Sequence, residues 1–134
     1  MTERSEEAIQ EEVVRFLGIE GFYVLEYAKP GTHRRLRGSI PSGHPDLLAI
    51  KPRDSGLGTH FCWFEVKRPG RHLTPDQEIM HLALTSLGCW VTTVTCAEEV
   101  AAALRTWGFE VRTRFRREEE ELRALKEATK CPPG

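Results

Sequence analysis

Two carboxylates and a lysine stand where this sequence could do chemistry. Pro45-Asp46 opens one short apolar run, and Glu65-Val66-Lys67 closes the next. If the two runs are adjacent strands, hard oxygen ligands and an ammonium meet at one point, the set that metal-assisted phosphodiester hydrolysis requires. Asp46 and Glu65 are the candidate metal ligands, and the main-chain carbonyl of Val66 could add a third. Residues 65 and 67 point to one face of a strand, so Lys67 would project beside Glu65, where it can orient or deprotonate water and offset developing charge. Each half alone is weak, because an E-x-K triplet is common in surface ion pairs and Pro-Asp is common in turns. The context strengthens the pair: Asp46 leads into an apolar run, and Gly43 allows close backbone approach just before it.

The elements that must hold these residues read as follows. Ser5 caps a first helix with Ile9, Val13, Phe16 and Leu17 at helical spacing, ended by Gly18 and Gly21. Phe22–Tyr27 is a strand, and Lys29–Gly43 is a long loop rich in Gly, Pro and Arg. Asp46–Ile50 and His60–Lys67 make a hairpin around the turn Lys51–Thr59. Thr74 and Pro75 start a second helix, with Gln77 at the capping-box position and Ile79, Leu82, Ala83 and Leu87 as its apolar side; Gly88 stops it. Trp90–Thr95 is a β-branched strand, and Ala97–Trp107 is a helix with Val100, Ala101 and Leu104 inward. Phe109–Phe115 reads as a final strand, and Arg116–Thr129 as a charged helix before a disordered tail, Cys131–Gly134. The expected fold class is α/β, a mixed β-sheet flanked by helices.

At 134 residues, with 40% hydrophobic and 29% charged residues, one domain with a buried core is expected. No run approaches the roughly 20 apolar residues of a membrane span, and the acidic first residues lack the regions of a signal peptide, so a cytoplasmic protein is expected. The four cysteines are scattered without C-x-x-C spacing, which suggests reduced thiols and neither zinc site nor disulfide framework. None of the five histidines shows metal-ligand spacing. His44 and His72 are nearest the motif, and none is assigned a catalytic role.

The net charge of −1 divides unevenly: residues 1–28 carry −5, residues 29–71 carry +6 and residues 72–134 carry −2. The only strongly basic third surrounds the motif, as expected of a surface that meets a polyanion. Arg34, Arg35 and Arg37 before the site, and Arg68 and Arg71 after it, are the candidate phosphate contacts. Such contacts would position a duplex without reading its sequence.

With these residues assembled, the chain resembles the virus-type replication-repair nuclease (VRR-NUC) domain of the PD-(D/E)xK superfamily. The resemblance runs over residues 5–107, through Ser5-Glu6-x-x-Ile9-Gln10, Gly43-His44-Pro45-Asp46, Glu65-Val66-Lys67, Leu73-Thr74-Pro75-Asp76-Gln77 and Leu87-Gly88. It implies a restriction-endonuclease-like fold, a nuclease domain over residues 1–115, and a charged helix and tail over 116–134. It also implies metal binding by Asp46 and Glu65, assistance to the attacking water by Lys67, and a site completed by Gln77 and by Glu6. The spacing of Glu6 to Ile9, Gln10 and Val13 sets it inward, whereas Glu7 and Glu11 face solvent.

The activity so implied is a Mg²⁺- or Mn²⁺-dependent endodeoxyribonuclease, a homodimer acting on branched DNA such as four-way (Holliday) junctions. A flap, nicking or restriction-type nuclease would keep the same fold, and a non-catalytic DNA-binding module is the rival from another class.

Overall fold

The computed structural model describes residues 4–27, 43–53 and 58–129, with the side chains of residues 117 and 118 left aside. Its elements are α1 (Glu6–Ile19), β1 (Tyr23–Glu26), β2 (Leu47–Pro52), β3 (Thr59–Val66), α2 (Pro75–Ser86), β4 (Trp90–Val94), α3 (Ala97–Thr106) and α4 (Arg116–Ala128). The expected α/β class and mixed sheet are therefore observed. Arg34, Arg35 and Arg37, with most of the long basic loop, lie outside the described residues, as do Cys131–Gly134.

The four strands lie in sequence order. β1, β2 and β3 form an antiparallel meander, and β4 runs parallel to β3 after the α2 crossover. In the β2–β3 pair Leu47 faces Phe64 and Ala49 faces Cys62. These residues, with Val66 and Val94, alternate onto one sheet face, where α1 supplies Ile9, Val13, Phe16 and Leu17 and α3 supplies Ala97, Val100, Ala101 and Leu104. Trp63, Glu65 and Lys67 alternate to the other face. α1 and α3 are also stitched together directly, Glu12 Oε2 accepting from Ala97 N at 2.9 Å.

Both caps expected at helix starts are made. Ser5 Oγ accepts from Ala8 N at 3.1 Å, and the Thr74–Gln77 capping box closes in both directions at 2.9 and 3.2 Å.

Two expectations need correction. Phe109–Phe115 is not a strand. The buried carboxylate of Glu20, at the C-cap of α1, instead accepts from Thr113 N at 2.7 Å and Arg112 N at 3.2 Å. A side chain thus satisfies the backbone donors that a neighbouring strand would otherwise take. Phe109 and Phe115 pack their rings on Phe22 and Phe16 at centroid distances of 5.3 and 5.4 Å, which fastens the segment to α1 and to the residue that leads into β1.

The second correction concerns α2. Its apolar residues Ile79, Leu82 and Leu87 are 66, 69 and 79% exposed. The half-buried positions are Gln77, Met80, His81 and Leu84, the i, i+3, i+4, i+7 stripe on the opposite side of the helix. The side that looked like a core stripe faces out, and the stripe carrying Gln77 and His81 faces the sheet.

The thiols of Cys62, Cys89 and Cys96 are free, and burial pushes that of Cys62 up to about 12. Among the described residues no helix is long and apolar enough to cross a membrane.

Candidate active site

The β2–β3 register brings the two carboxylates together. The antiparallel ladder ends at Leu47 opposite Phe64, and extending it by one residue sets Asp46 opposite Glu65. Tyr27 N donates to the Asp46 carbonyl at 2.8 Å, tying the same residue to the end of β1. Asp46 Oδ2 accepts from Val66 N at 2.8 Å, so the carboxylate is pinned across the strand pair. Both acids are buried, Asp46 at 3% exposure and Glu65 at 0%. Lys67 is 9% exposed, and its N–H donates to Val94 O at 3.0 Å, continuing the β3–β4 ladder. Strand alternation then directs its side chain to the Glu65 face.

The segment that delivers Asp46 rests on the start of α2. Gly43 has φ +85°, and a Cβ placed there would lie 2.7 Å from Gln77 N and closer still to the Asp76 carbonyl group. Only glycine permits both that conformation and that approach. Gln77 is thereby held near the strand ends, half-buried, with Oε1 taken by Thr74 N in the capping box.

Glu6 is half-buried in the first turn of α1, while Glu7 and Glu11 are exposed. One turn further, Gln10 Nε2 donates to Glu26 Oε1 at 3.0 Å. Glu26 pairs with Leu47, so this helix face looks toward the β1–β2 end at which Asp46 sits. Beyond β3, Arg68 is half-buried and Arg71 exposed in a turn closed by Arg71 N and Arg68 O at 3.1 Å.

Sequence reasoning passed over one residue at this site. His81 Nε2 lies 3.8 Å from Glu65 Oε1, with the His81 side chain 13% exposed. Burial lowers the His81 pKa below the ordinary imidazole range; the Asp46 charge pulls it up and Lys67 pushes it down again. His81 therefore feels both charged neighbours of Glu65. The available signal was its position four residues after Gln77, on one face of one helix.

The other candidates have different surroundings. His44 is wedged between Tyr27 and Trp63 at ring distances of 4.8 and 4.7 Å, and its Nδ1 lies 2.9 Å from Pro45 O. His72 is exposed.

Two buried carboxylates beside one buried lysine suit a divalent cation. They are hard oxygen donors of the kind such an ion prefers. Among the described residues no group of three or more His, Cys, Asp and Glu side chains is gathered as a closed metal cage. A Mg²⁺-type ion does not need one, since one or two carboxylates, water and substrate phosphate complete its shell.

No protein-family model matches the sequence, and no curated protein does. A solved structure described as "VRR_NUC domain" does match, at 25% identity and a TM-score of 0.57, over 78% of this chain and 97% of that one. The chain is thus similar to a VRR_NUC domain in its mixed sheet and flanking helices, as its motifs imply.

Proposed function

We propose, on the premise that this chain has the fold of the VRR_NUC nuclease domains, that it is a metal-dependent endodeoxyribonuclease that hydrolyses phosphodiester bonds in branched DNA. The observation that carries this reading is the cross-strand pair. Asp46 and Glu65 are both buried, opposed in register and locked by the 2.8 Å bond from Val66 N to Asp46 Oδ2, with Lys67 on the same face.

Asp46, Glu65 and the Val66 carbonyl would hold Mg²⁺ or Mn²⁺, which when bound lowers the pKa of a coordinated water and polarises the phosphoryl oxygens. Lys67 orients the attacking water and offsets the negative charge that builds on the phosphoryl group. Gln77, held by Gly43 at the start of α2, and Glu6, on the inward face of α1, complete the site. Arg68, directly after Lys67, and Arg71, at the end of the turn that follows, grip the phosphates flanking the scissile bond, together with Arg34, Arg35 and Arg37.

Exposure of Ile79 and Leu82 on α2, and of Leu87 at its C-cap, supports a homodimer, because large apolar side chains left in solvent mark a surface for association. Two such protomers would present two sites to a symmetric four-way junction. Residues 1–115 form the nuclease domain in this reading, and α4 with the tail is an appendage to it.

The test is cleavage of labelled four-way junction, flap, nicked and linear duplex DNA by the purified chain with Mg²⁺ or Mn²⁺, beside Asp46→Ala. Junction cleavage that disappears in Asp46→Ala is the expected result. Preference for flap or linear duplex would replace the junction by another substrate. Cleavage of nothing by the wild-type chain would favour a DNA-binding module.

A further inference from the structure

Glu65 has a soft final torsion, because the χ3 of a glutamate is broad and two-fold. A carboxylate that must present a defined oxygen needs a neighbour to choose its orientation, and metal-ligating carboxylates are held by such outer partners. β4 places Thr93 beside Glu65 in the ladder, but the sheet face onto which Glu65 projects is covered by α2.

The residue α2 aims there is His81. Its Nε2 is buried, makes no hydrogen bond among the described residues, and stands 3.8 Å from Glu65 Oε1. That separation is slightly beyond hydrogen-bond reach, a length typical of active-site contacts before substrate and ion bind. Met80 and Leu84 share the half-buried stripe with His81, whose side chain is 13% exposed. The helix start is fixed in turn by the Thr74–Gln77 box and by the Gly43 contact, which sets the depth and rotation at which residue 81 arrives.

We propose that His81 is a positioning residue of this site, its imidazole fixing the orientation of the Glu65 carboxylate so that the Asp46–Glu65 pair is ordered for a divalent cation before the cation arrives. This rests on the reading of Asp46 and Glu65 as metal ligands and adds to it a residue from the crossover helix. A histidine that merely packed there would be replaceable by a leucine of similar bulk. A positioning histidine requires a polar nitrogen at the Nε2 point, which glutamine can return and leucine cannot.

The experiment uses the full chain and four variants, His81→Leu, His81→Ala, His81→Gln and Asp46→Ala, each checked for folding by circular dichroism and thermal melting. Binding of Mn²⁺ alone is followed by the electron paramagnetic resonance signal of the free ion, without DNA. Cleavage kinetics on the best substrate of the panel above are measured separately. His81→Leu and His81→Ala should weaken Mn²⁺ binding and lower kcat by about 10–100-fold, the usual effect of losing an outer-shell partner. KM for DNA should stay within about two-fold, since His81 is not among the phosphate contacts, and His81→Gln should recover most of both losses.

A folded His81→Leu protein that matches the wild type in Mn²⁺ affinity and kcat would overturn the proposal, as would a His81→Gln protein no better than His81→Leu. Should His81→Ala fail to fold, His81→Leu against His81→Gln still decides. If Asp46→Ala abolishes Mn²⁺ binding while His81→Leu leaves it intact, this inference alone falls. If the wild type binds no Mn²⁺, or Asp46→Ala binds it as well as the wild type, the metal site itself falls.

Discussion

Substituting Asp46 in two ways separates its structural contribution from its chemistry. Asp46→Ala removes the acceptor of the 2.8 Å bond from Val66 N in a region where Val66 and Glu65 are both fully buried. Depriving a buried N–H of its acceptor costs about 1–3 kcal/mol. With an unfolding entropy of about 2.1 cal/mol/K per residue, that cost lowers Tm by roughly 4–11 °C for a domain of this length.

Asp46→Asn keeps an amide oxygen in the same place and removes like-charge repulsion with Glu65. Its metal-free Tm is expected to stay at or above that of the wild type. Both variants lose a metal ligand, and forfeiting several kcal/mol of transition-state stabilisation reduces kcat by about 10³-fold or more.

Thermal melting with and without Mn²⁺ completes the test. Wild type should gain stability from the ion by mass action, about 2.7 kcal/mol at a hundred times Kd, and neither variant should. Equal melting of the Ala and Asn variants would refute the structural role given to the Val66 bond. An Asn variant that still cleaves DNA at a wild-type rate would refute the site.

Three further outcomes are expected. Gly43→Ala must adopt φ near +85° and press its Cβ on the Asp76–Gln77 backbone, so urea unfolding should show a loss of about 1–3 kcal/mol and kcat should fall together with stability. The Glu20 carboxyl sits below the usual glutamate range: burial alone would raise it, but hydrogen bonds from Thr113 and Arg112 and the Lys51 charge outweigh burial. A depressed folded pKa adds stability above the unfolded value, and that stability is lost as pH falls through the folded one. Urea stability of wild type between pH 7 and pH 3 should therefore fall more steeply than that of Glu20→Gln below about pH 4.5. Leu82→Glu, at a position 69% exposed in the single chain, should leave the monomer's stability within about 0.5 kcal/mol and, under the proposed homodimer, shift sedimentation from dimer to monomer.

Much of the architecture was readable from local rules. Ser5 and Thr74 cap helices because their hydroxyls satisfy orphan N–H groups, and the alternation along β2 and β3 sends Leu47, Ala49, Cys62, Phe64 and Val66 to one face. The Phe109–Phe115 segment misled because its pattern suits a strand equally well. What decides the outcome is a partner for its N–H groups, and that partner is a glutamate more than ninety residues earlier. The α2 face misled for the converse reason: Ile79, Leu82 and Leu87 are apolar, and apolar periodicity identifies a helix face without saying what covers it.

By itself the sequence determined the chemistry on offer, two carboxylates and a lysine at strand ends inside a basic third of the chain, and the strand alternation that puts Glu65 and Lys67 on one face. Only the tertiary structure decided that Asp46 stands opposite Glu65, because register depends on how the β2–β3 turn closes. It alone decided that α2 turns His81 toward Glu65, with Gln77 on the same half-buried stripe. The start of that helix is held by the Gly43 contact, and its Met80 and Leu84 side is the half-buried one; neither is a property of any local stretch of residues.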